Sequence, residues 1–173
     1  MSSRVGESDS SQLDCDQLRE KYMAKERHVE MCHALSDGLI FRLEGSSSWR
    51  EAEVSCKLVG AGIADIANFE RYQAFALMAA WAETDYAALA FTDSGQRGIW
   101  RWTHDGSVVT GVRWQAGQPS CAAEARCGVA SWEANGKFLG FGLGTASCYA
   151  TGLAPICILQ QAKHRPSNSS LLI

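Results

Sequence analysis

The chain has 173 residues, enough for one ordinary domain with some tail or linker but not for two. Apolar residues make up 46%, which supplies a core of normal size and excludes global disorder. Sixteen basic against 19 acidic residues leave a net charge of -3, without the concentrated basic surface that nucleic-acid binding needs.

Residues 1–12 are Ser-rich and polar, and lack the apolar run of a secretory leader. That leaves three readings: a cytosolic chain, a segment of a longer secreted protein, or a mis-set start. Residues 13–35 combine helix formers with interleaved charges and predict a mostly exposed helix or linker, with Leu18, Tyr22 and Val29 along part of one face. Gly38 opens a strand-like run from Leu39 to Leu43. Ser48 followed by Glu51 has the spacing of a capping box, and Trp49, Ala52, Cys56 and Val59 recur at helical spacing, which turns Cys56 toward the core. Asn68 as N-cap and Glu70 in the first turn start a second helix, lined by Phe69, Tyr72, Phe75, Ala76 and Ala79 and ending near Trp81.

After Asp85 the period shortens to that of strands. Ala87–Phe91 and Gly98–Trp102 are two, His104-Asp105-Gly106 is a turn, and Val108–Trp114 is strand-like. Cys127–Trp132 and Lys137–Phe141 flank Asn135-Gly136, a strong hairpin signal. Ile156–Leu159 reads as a last buried strand, and the tail from Gln160 as loose. The stretch Phe138–Ala162 has no charge, but its glycines, Pro155 and hydroxyl residues fit buried strands joined by glycine loops, and a membrane span is not expected. A strand, two helices and then several strands predict an α+β fold rather than an alternating parallel sheet. Seven cysteines point to disulfides, metal or both, and their odd number leaves at least one thiol over.

Taken in order, these residues resemble a C-type lectin-like domain. Trp49, Ala52 and Cys56 resemble the family's first helix, and Gly60-Ala61-Gly62-Ile63-Ala64-Asp65-Ile66 its following link. Ala87–Asp93 falls where the family carries Trp-Ile-Gly-Leu and a following Thr-Asp. Gly98, Trp100, Trp102, Asp105 and Gly106 resemble its Gly-x-Trp-x-Trp region, and Trp114, Gly117, Gln118 and Pro119 its Trp-x-x-Gly-x-Pro stretch. The likeness covers 38–159, after a polar tail and helix or linker over 1–37 and before a flexible tail over 160–173. It implies two helices packed on small antiparallel sheets with a long loop region, stapled by Cys56–Cys157 and Cys127–Cys148. It leaves open whether Cys15 and Cys32 pair, and whether Cys121, the expected odd thiol, exchanges with Cys127. Trp49, Trp100, Trp102 and Trp114 read as core anchors; Trp132, beside the hairpin turn, reads equally as a contact residue.

Sugar binding in this family commonly runs through calcium, which takes six to eight oxygen ligands. The first ligand motif, Glu-Pro-Asn or Gln-Pro-Asp, stands here as Gln118-Pro119-Ser120, and the second, Trp-Asn-Asp, is read at Phe138-Leu139-Gly140. Between them Glu124 is the one carboxylate and Arg126 adds a positive charge. One carboxylate does not offset the dehydration of a divalent cation, so the usual calcium site is expected to be absent, with no metal and no cofactor. The expected function is a ligand-binding module, probing glycan or protein through Gln118, Pro119, Ser120, Glu124, Arg126, Trp132 and Lys137, with Arg113, Gln115 and Glu133 nearby. A calcium-dependent lectin with atypical ligands and a purely structural domain of a larger extracellular protein are the alternatives. Disulfides place the domain on the extracellular side, and the sequon at Asn168 agrees weakly. Cys15, Cys32 or Cys121, or the N-terminal helix, could mediate self-association, although the helix lacks sustained heptads.

Three other chemistries compete. His28, Cys32, His33 and Cys15 could bind zinc, but match no tight finger spacing. His104, the one histidine of the domain, lies far in sequence from every cysteine and has no nucleophile pattern around it, so no enzyme is expected. Gly140-Phe141-Gly142-Leu143-Gly144 lacks the Lys-Ser/Thr of a phosphate loop, and its glycines read as a flexible loop before Cys148.

Overall fold

The computed structural model describes residues 12–80, 86–131 and 141–161. Asp14 caps the first helix, α1 (Cys15–Met23), in a reciprocated box with Gln17. The chain then turns through Glu26 at φ 57° into β1 (Val29–Leu35), which pairs antiparallel with β2 (Gly38–Leu43). The helix expected over 13–35 therefore stops at Met23, and its second half is a strand. Pairing with a buried neighbour outweighs the helix propensity of that segment. Ser48 caps α2 (Trp49–Lys57) through the amide of Glu51, while the reciprocated box belongs to α1. A two-residue strand, β3 (Gly62–Ile63), leads to α3 (Phe69–Ala80), capped by Asn68. Then come β4 (Tyr86–Thr92), β5 (Arg101–Trp102), β6 (Ala125–Ser131), β7 (Gly142–Ser147) and β8 (Ile156–Gln160). Of the Val108–Trp114 run only isolated bridges form, at Val108 and Trp114. Asn135-Gly136 and Trp81 lie outside the described residues.

The strands make two antiparallel sheets, β1-β2-β8-β3 and β5-β4-β6-β7. Alternation along β2 sends Leu39, Phe41 and Leu43 into one core cluster and Ile40 into a second. Along β4, Ala88 and Ala90 face the first cluster while Ala87, Leu89 and Phe91 face the second. The sheets are joined where Ala90 N donates to Ala64 O, and Ala88 N to Ala154 O. Trp49 Nε1 donates to Leu89 O at 2.8 Å, so the first residue of α2 is keyed to β4. Trp49, Trp100 and Trp102 are buried and Trp114 half-buried, each as an anchor; Phe91 meets the last three edge-on at 5.4–5.8 Å. Gly128 lies against that ring, where a Cβ would overlap it. On α3 the buried stripe is Phe75, Met78 and Ala79, whereas Phe69, expected to line the helix, is 72% exposed.

Cys56–Cys157 and Cys127–Cys148 form, with Cα separations of 5.6 and 5.1 Å, and Cys121 is an exposed free thiol. Cys15 and Cys32 also pair, at a Cα separation of 5.8 Å. That removes both from the candidates for an intermolecular bridge, and it consumes two of the four residues suggested for zinc. Closing about 100 residues restricts the unfolded chain by about 5 kcal/mol for Cys56–Cys157, and the shorter Cys127–Cys148 loop gives about 3 kcal/mol. The described part of the uncharged 138–162 stretch forms β7 and β8, and no described helix is long and apolar enough to cross a membrane. Gln160 closes β8, and Gln161 exchanges two hydrogen bonds with the Leu13 backbone.

A buried ion cluster ties α3 to the loops around it. Arg71 donates to Asp65 at 2.7 Å and to Asp37 at 2.8 Å. Burial opposes the Arg71 charge, yet the hydrogen bond and attraction of Asp65, with Asp37 behind it, hold the guanidinium above its ordinary range. His104 points its two ring nitrogens at Asp65 and Asp105, at 3.6 and 3.5 Å, not at a hydroxyl or thiol.

Tyr22 shows that α1 belongs to the core. Its ring is fully buried against Phe41, and its hydroxyl donates to Ser55 O at 2.8 Å. Burial pushes the phenol far above its usual 10.0, with Arg27 pulling weakly the other way. The folded state thus keeps a proton that the unfolded chain releases above pH 10.0, so the contribution is whole below that pH and shrinks as pH rises past it. We expect Tyr22→Phe to cost about 1 kcal/mol at neutral pH. Its urea midpoint should then fall less than that of the parent between neutral pH and about pH 11. Parallel alkaline limbs would contradict the buried phenol.

Candidate functional site

The loop between β5 and β6 crosses the outer edge of β7. Gln115 N donates to Leu143 O and Leu143 N to Arg113 O, both at 2.8 Å, so the loop backbone extends the sheet for one step. It then leaves through Gly117 at φ 77° and the cis peptide Gln118–Pro119. Here the side chain of Gln118 turns inward. Its Oε1 accepts from Thr145 N at 3.0 Å, from Thr145 Oγ1 at 3.1 Å and from Ser120 N at 3.1 Å. Ser120 N also reaches Thr145 Oγ1 at 3.0 Å. A carbonyl oxygen has two lone pairs, so three donors fill it.

The glycines of β7 make this crossing possible. A Cβ at Gly142 would stand 2.7 Å from the Gln115 amide nitrogen, and one at Gly144 would touch Gln118 at 3.4 Å. The Gly140–Gly144 run, expected as a flexible loop, is in its described part a strand whose missing side chains leave room for two glutamines. Gln115 uses that room to donate from Nε2 to Ser131 O at 2.8 Å. The second ligand motif, placed at 138–140, lies outside the described residues. The strand that faces Gln118 is β7, through Gly144 and Thr145, and neither carries a carboxylate.

The predicted site residues do not come together in one place. Gln118 lines a groove of about 460 Å³ with Gln115, Tyr86, Ser131, Thr145 and Thr151, a set of neutral amides, hydroxyls and one half-exposed ring. Pro119 and Ser120 shape the loop behind it. Glu124 and Arg126 instead line a separate groove of about 250 Å³ with Arg50 and Tyr149. Arg126 is partly committed, since its Nε pairs with the buried Asp93 at 3.2 Å. Trp132 and Lys137 lie outside the described residues. Tyr86, Thr145 and Thr151 of the first groove and Tyr149 of the second carry no motif in the sequence. For Thr145 the only available cue was its place three residues before Cys148. Among the described residues no group of three His, Cys, Asp or Glu could hold a metal ion.

Two small antiparallel sheets, the α2–β8 disulfide and the loop pinned beside Cys148 make this a C-type lectin-like fold. The carbohydrate-recognition domain of the mouse scavenger receptor C-type lectin matches it with a TM-score of 0.61 at 18% identity, over 79% of this chain and 98% of that one. The C-type lectin domain of murine dendritic cell inhibitory receptor 2, crystallised in complex with N-glycan, matches with a TM-score of 0.59 at 21% identity, over 76% and 98%. In sequence, human C-type mannose receptor 2 is 28% identical over 118 residues, which is 68% of this chain but 7% of the receptor's length. No family model matches the chain.

The hydrogen bonds of Gln118 make a local prediction. Gln118→Ala leaves the Thr145 amide and hydroxyl without their acceptor, while Ser120 N keeps Thr145 Oγ1, and should cost about 1–3 kcal/mol. Amide exchange at Thr145 should accelerate while the β4–β6 amides keep their protection. Unchanged exchange at Thr145 would show that the Gln118 oxygen is not filled from β7.

Proposed function

We propose that the domain is a ligand-binding module that recognises a glycan without calcium, through the neutral groove between the Gln115–Gln118 loop and β6–β7. The observation that carries this reading is the state of the Gln118 oxygen. It stands in the motif where the family resemblance implies a calcium ligand, and here N–H and O–H donors of the protein occupy it. A cation at that oxygen would have to displace Thr145 and Ser120, and Ser120, Thr145 and Gly144 offer no carboxylate in return. The groove itself suits a neutral saccharide: amides and hydroxyls match sugar hydroxyls, and the Tyr86 ring can take a sugar's C–H face. The glycan-bound dendritic cell receptor domain, with the same fold, supports a saccharide as ligand class.

A second reading, a protein-interaction module, is favoured by the outer face of α3, where Phe69 and Leu77 are 72% and 57% exposed. In either reading three disulfides favour an oxidising, extracellular setting.

The two are separated by a glycan array probed with and without chelator. We expect the same neutral glycans to be retained in both conditions, and Gln115→Ala to weaken retention by about tenfold. Calorimetry should show no calcium binding in the micromolar range. Binding of calcium that Gln118→Ala abolishes, or glycan retention lost on chelation, would defeat the proposal; an array without any retention would turn the reading toward a protein ligand.

A further inference from the structure

The groove that holds Glu124 and Arg126 differs in character from the neutral one. It is lined by two arginines from distant parts of the chain, Arg50 of α2 and Arg126 of β6, together with Thr92, Ser94, Ser147 and Tyr149. Neither arginine is free to wander. Arg126 is aimed by its Nε–Asp93 pair at 3.2 Å, and its carbonyl accepts from Thr92 Oγ1 at 2.7 Å. Among the described residues nothing engages its two Nη groups. Arg50 lies over the Trp49 ring, 5.5 Å from its centre, with one Nη leaning on Glu53 at 3.4 Å. Its own amide donates to Cys148 O, which fixes the start of α2 to the residue before Tyr149. Tyr149 is 75% exposed, more than any other large apolar or aromatic side chain among the described residues. Asp93 is buried and already shared with Gly98 N, so Glu124 is the one carboxylate that lines the groove.

Two arginines beside an exposed ring and the hydroxyl residues Thr92, Ser94 and Ser147 form a recognisable chemical pattern. The forks match a planar carboxylate or a sulfate, which they can bind through paired charge-assisted hydrogen bonds. The ring matches the C–H face of a sugar, and the hydroxyls its substituents. We propose that this groove is a subsite for an acidic saccharide, one that carries a sulfate or a carboxylate next to a ring stacked on Tyr149. The proposal rests on the reading of the domain as a saccharide binder, but not on the Gln115–Gln118 groove. No metal takes part, and the anion is held by Arg50 and Arg126 alone.

Calorimetry on the full chain, in chelator, tests it with three probes: a chondroitin sulfate tetrasaccharide, a hyaluronan tetrasaccharide and neutral maltotetraose. An acidic probe should bind, more weakly as salt screens the arginines, and maltotetraose should bind at least about tenfold less tightly. Preference for chondroitin sulfate over hyaluronan identifies sulfate as the anchoring group; equal binding identifies the carboxylate. Arg50→Gln and Tyr149→Ala, both at exposed positions outside the Asp93 pair, should each reduce affinity by about tenfold with an unchanged thermal midpoint. Gln115→Ala should leave the acidic probes unaffected, so loss of the neutral groove and loss of this subsite give separate readings. The proposal falls if Arg50→Gln binds as well as the parent, if maltotetraose matches the acidic probes, or if none of the probes binds.

Discussion

The Cys56–Cys157 bridge is the constraint on which the architecture hangs. Both sulfurs are fully buried, and the bond joins the last turn of α2 to a central strand of the first sheet. Cys157 stands opposite Phe41 on one side and Ile63 on the other, so the helix is fixed to three strands at once. From that fixed helix two further contacts reach outward. Trp49 keys into the Leu89 carbonyl of the second sheet, and the Arg50 amide bonds the Cys148 carbonyl at the end of β7. The helix is therefore the part through which the disulfide's restriction passes from the core to the ligand-facing loops. Its entropic share, about 5 kcal/mol by loop length, is comparable to the whole net stability of a small domain.

Given that frame, the loop over β7 has to be held by something. Hydrogen bonds join loop and strand, with Gln118 as acceptor and Thr145 and Ser120 as donors. Glycine at 142 and 144 lets two glutamine side chains approach the strand. Each neutral hydrogen bond is worth only about 0.5–1.5 kcal/mol net, but together they need no ion to form.

The α+β class and the elements with a clean period could be read from the chain. α2 and β8 carry apolar residues at unambiguous spacing, and the aromatic anchors around Phe91 sit where their order placed them. Two things were hidden. β1 has the composition of a helix, and only its antiparallel register with β2, a long-range fact, makes it a strand. β7 has the composition of a loop, because its glycines answer to Gln115 and Gln118, more than 25 residues away, and not to their neighbours in sequence. The same reason explains why the candidate site was only partly legible. Gln118 was marked by a motif, but Thr145, Tyr86 and Tyr149 acquire a role only once β7 lies across the loop.

That crossing also divides the surface. Ala146 and Ser147 are consecutive on β7, yet the first lines the neutral groove and the second the one between the arginines. Gln118 of the loop and Arg126 at the start of β6 end on different sides of this division. The neutral side is built from amides and hydroxyls that spend part of their hydrogen-bonding capacity inside the protein, which favours shape and weak contacts. The charged side carries two arginines that Asp93, Glu53 and the Trp49 ring orient, which favours one strong ionic contact. A chain with a net charge of -3 would repel an anion at long range. Two forks concentrated at one groove overcome that at short range, since salt screens the distant acidic residues while the arginines act within hydrogen-bonding distance.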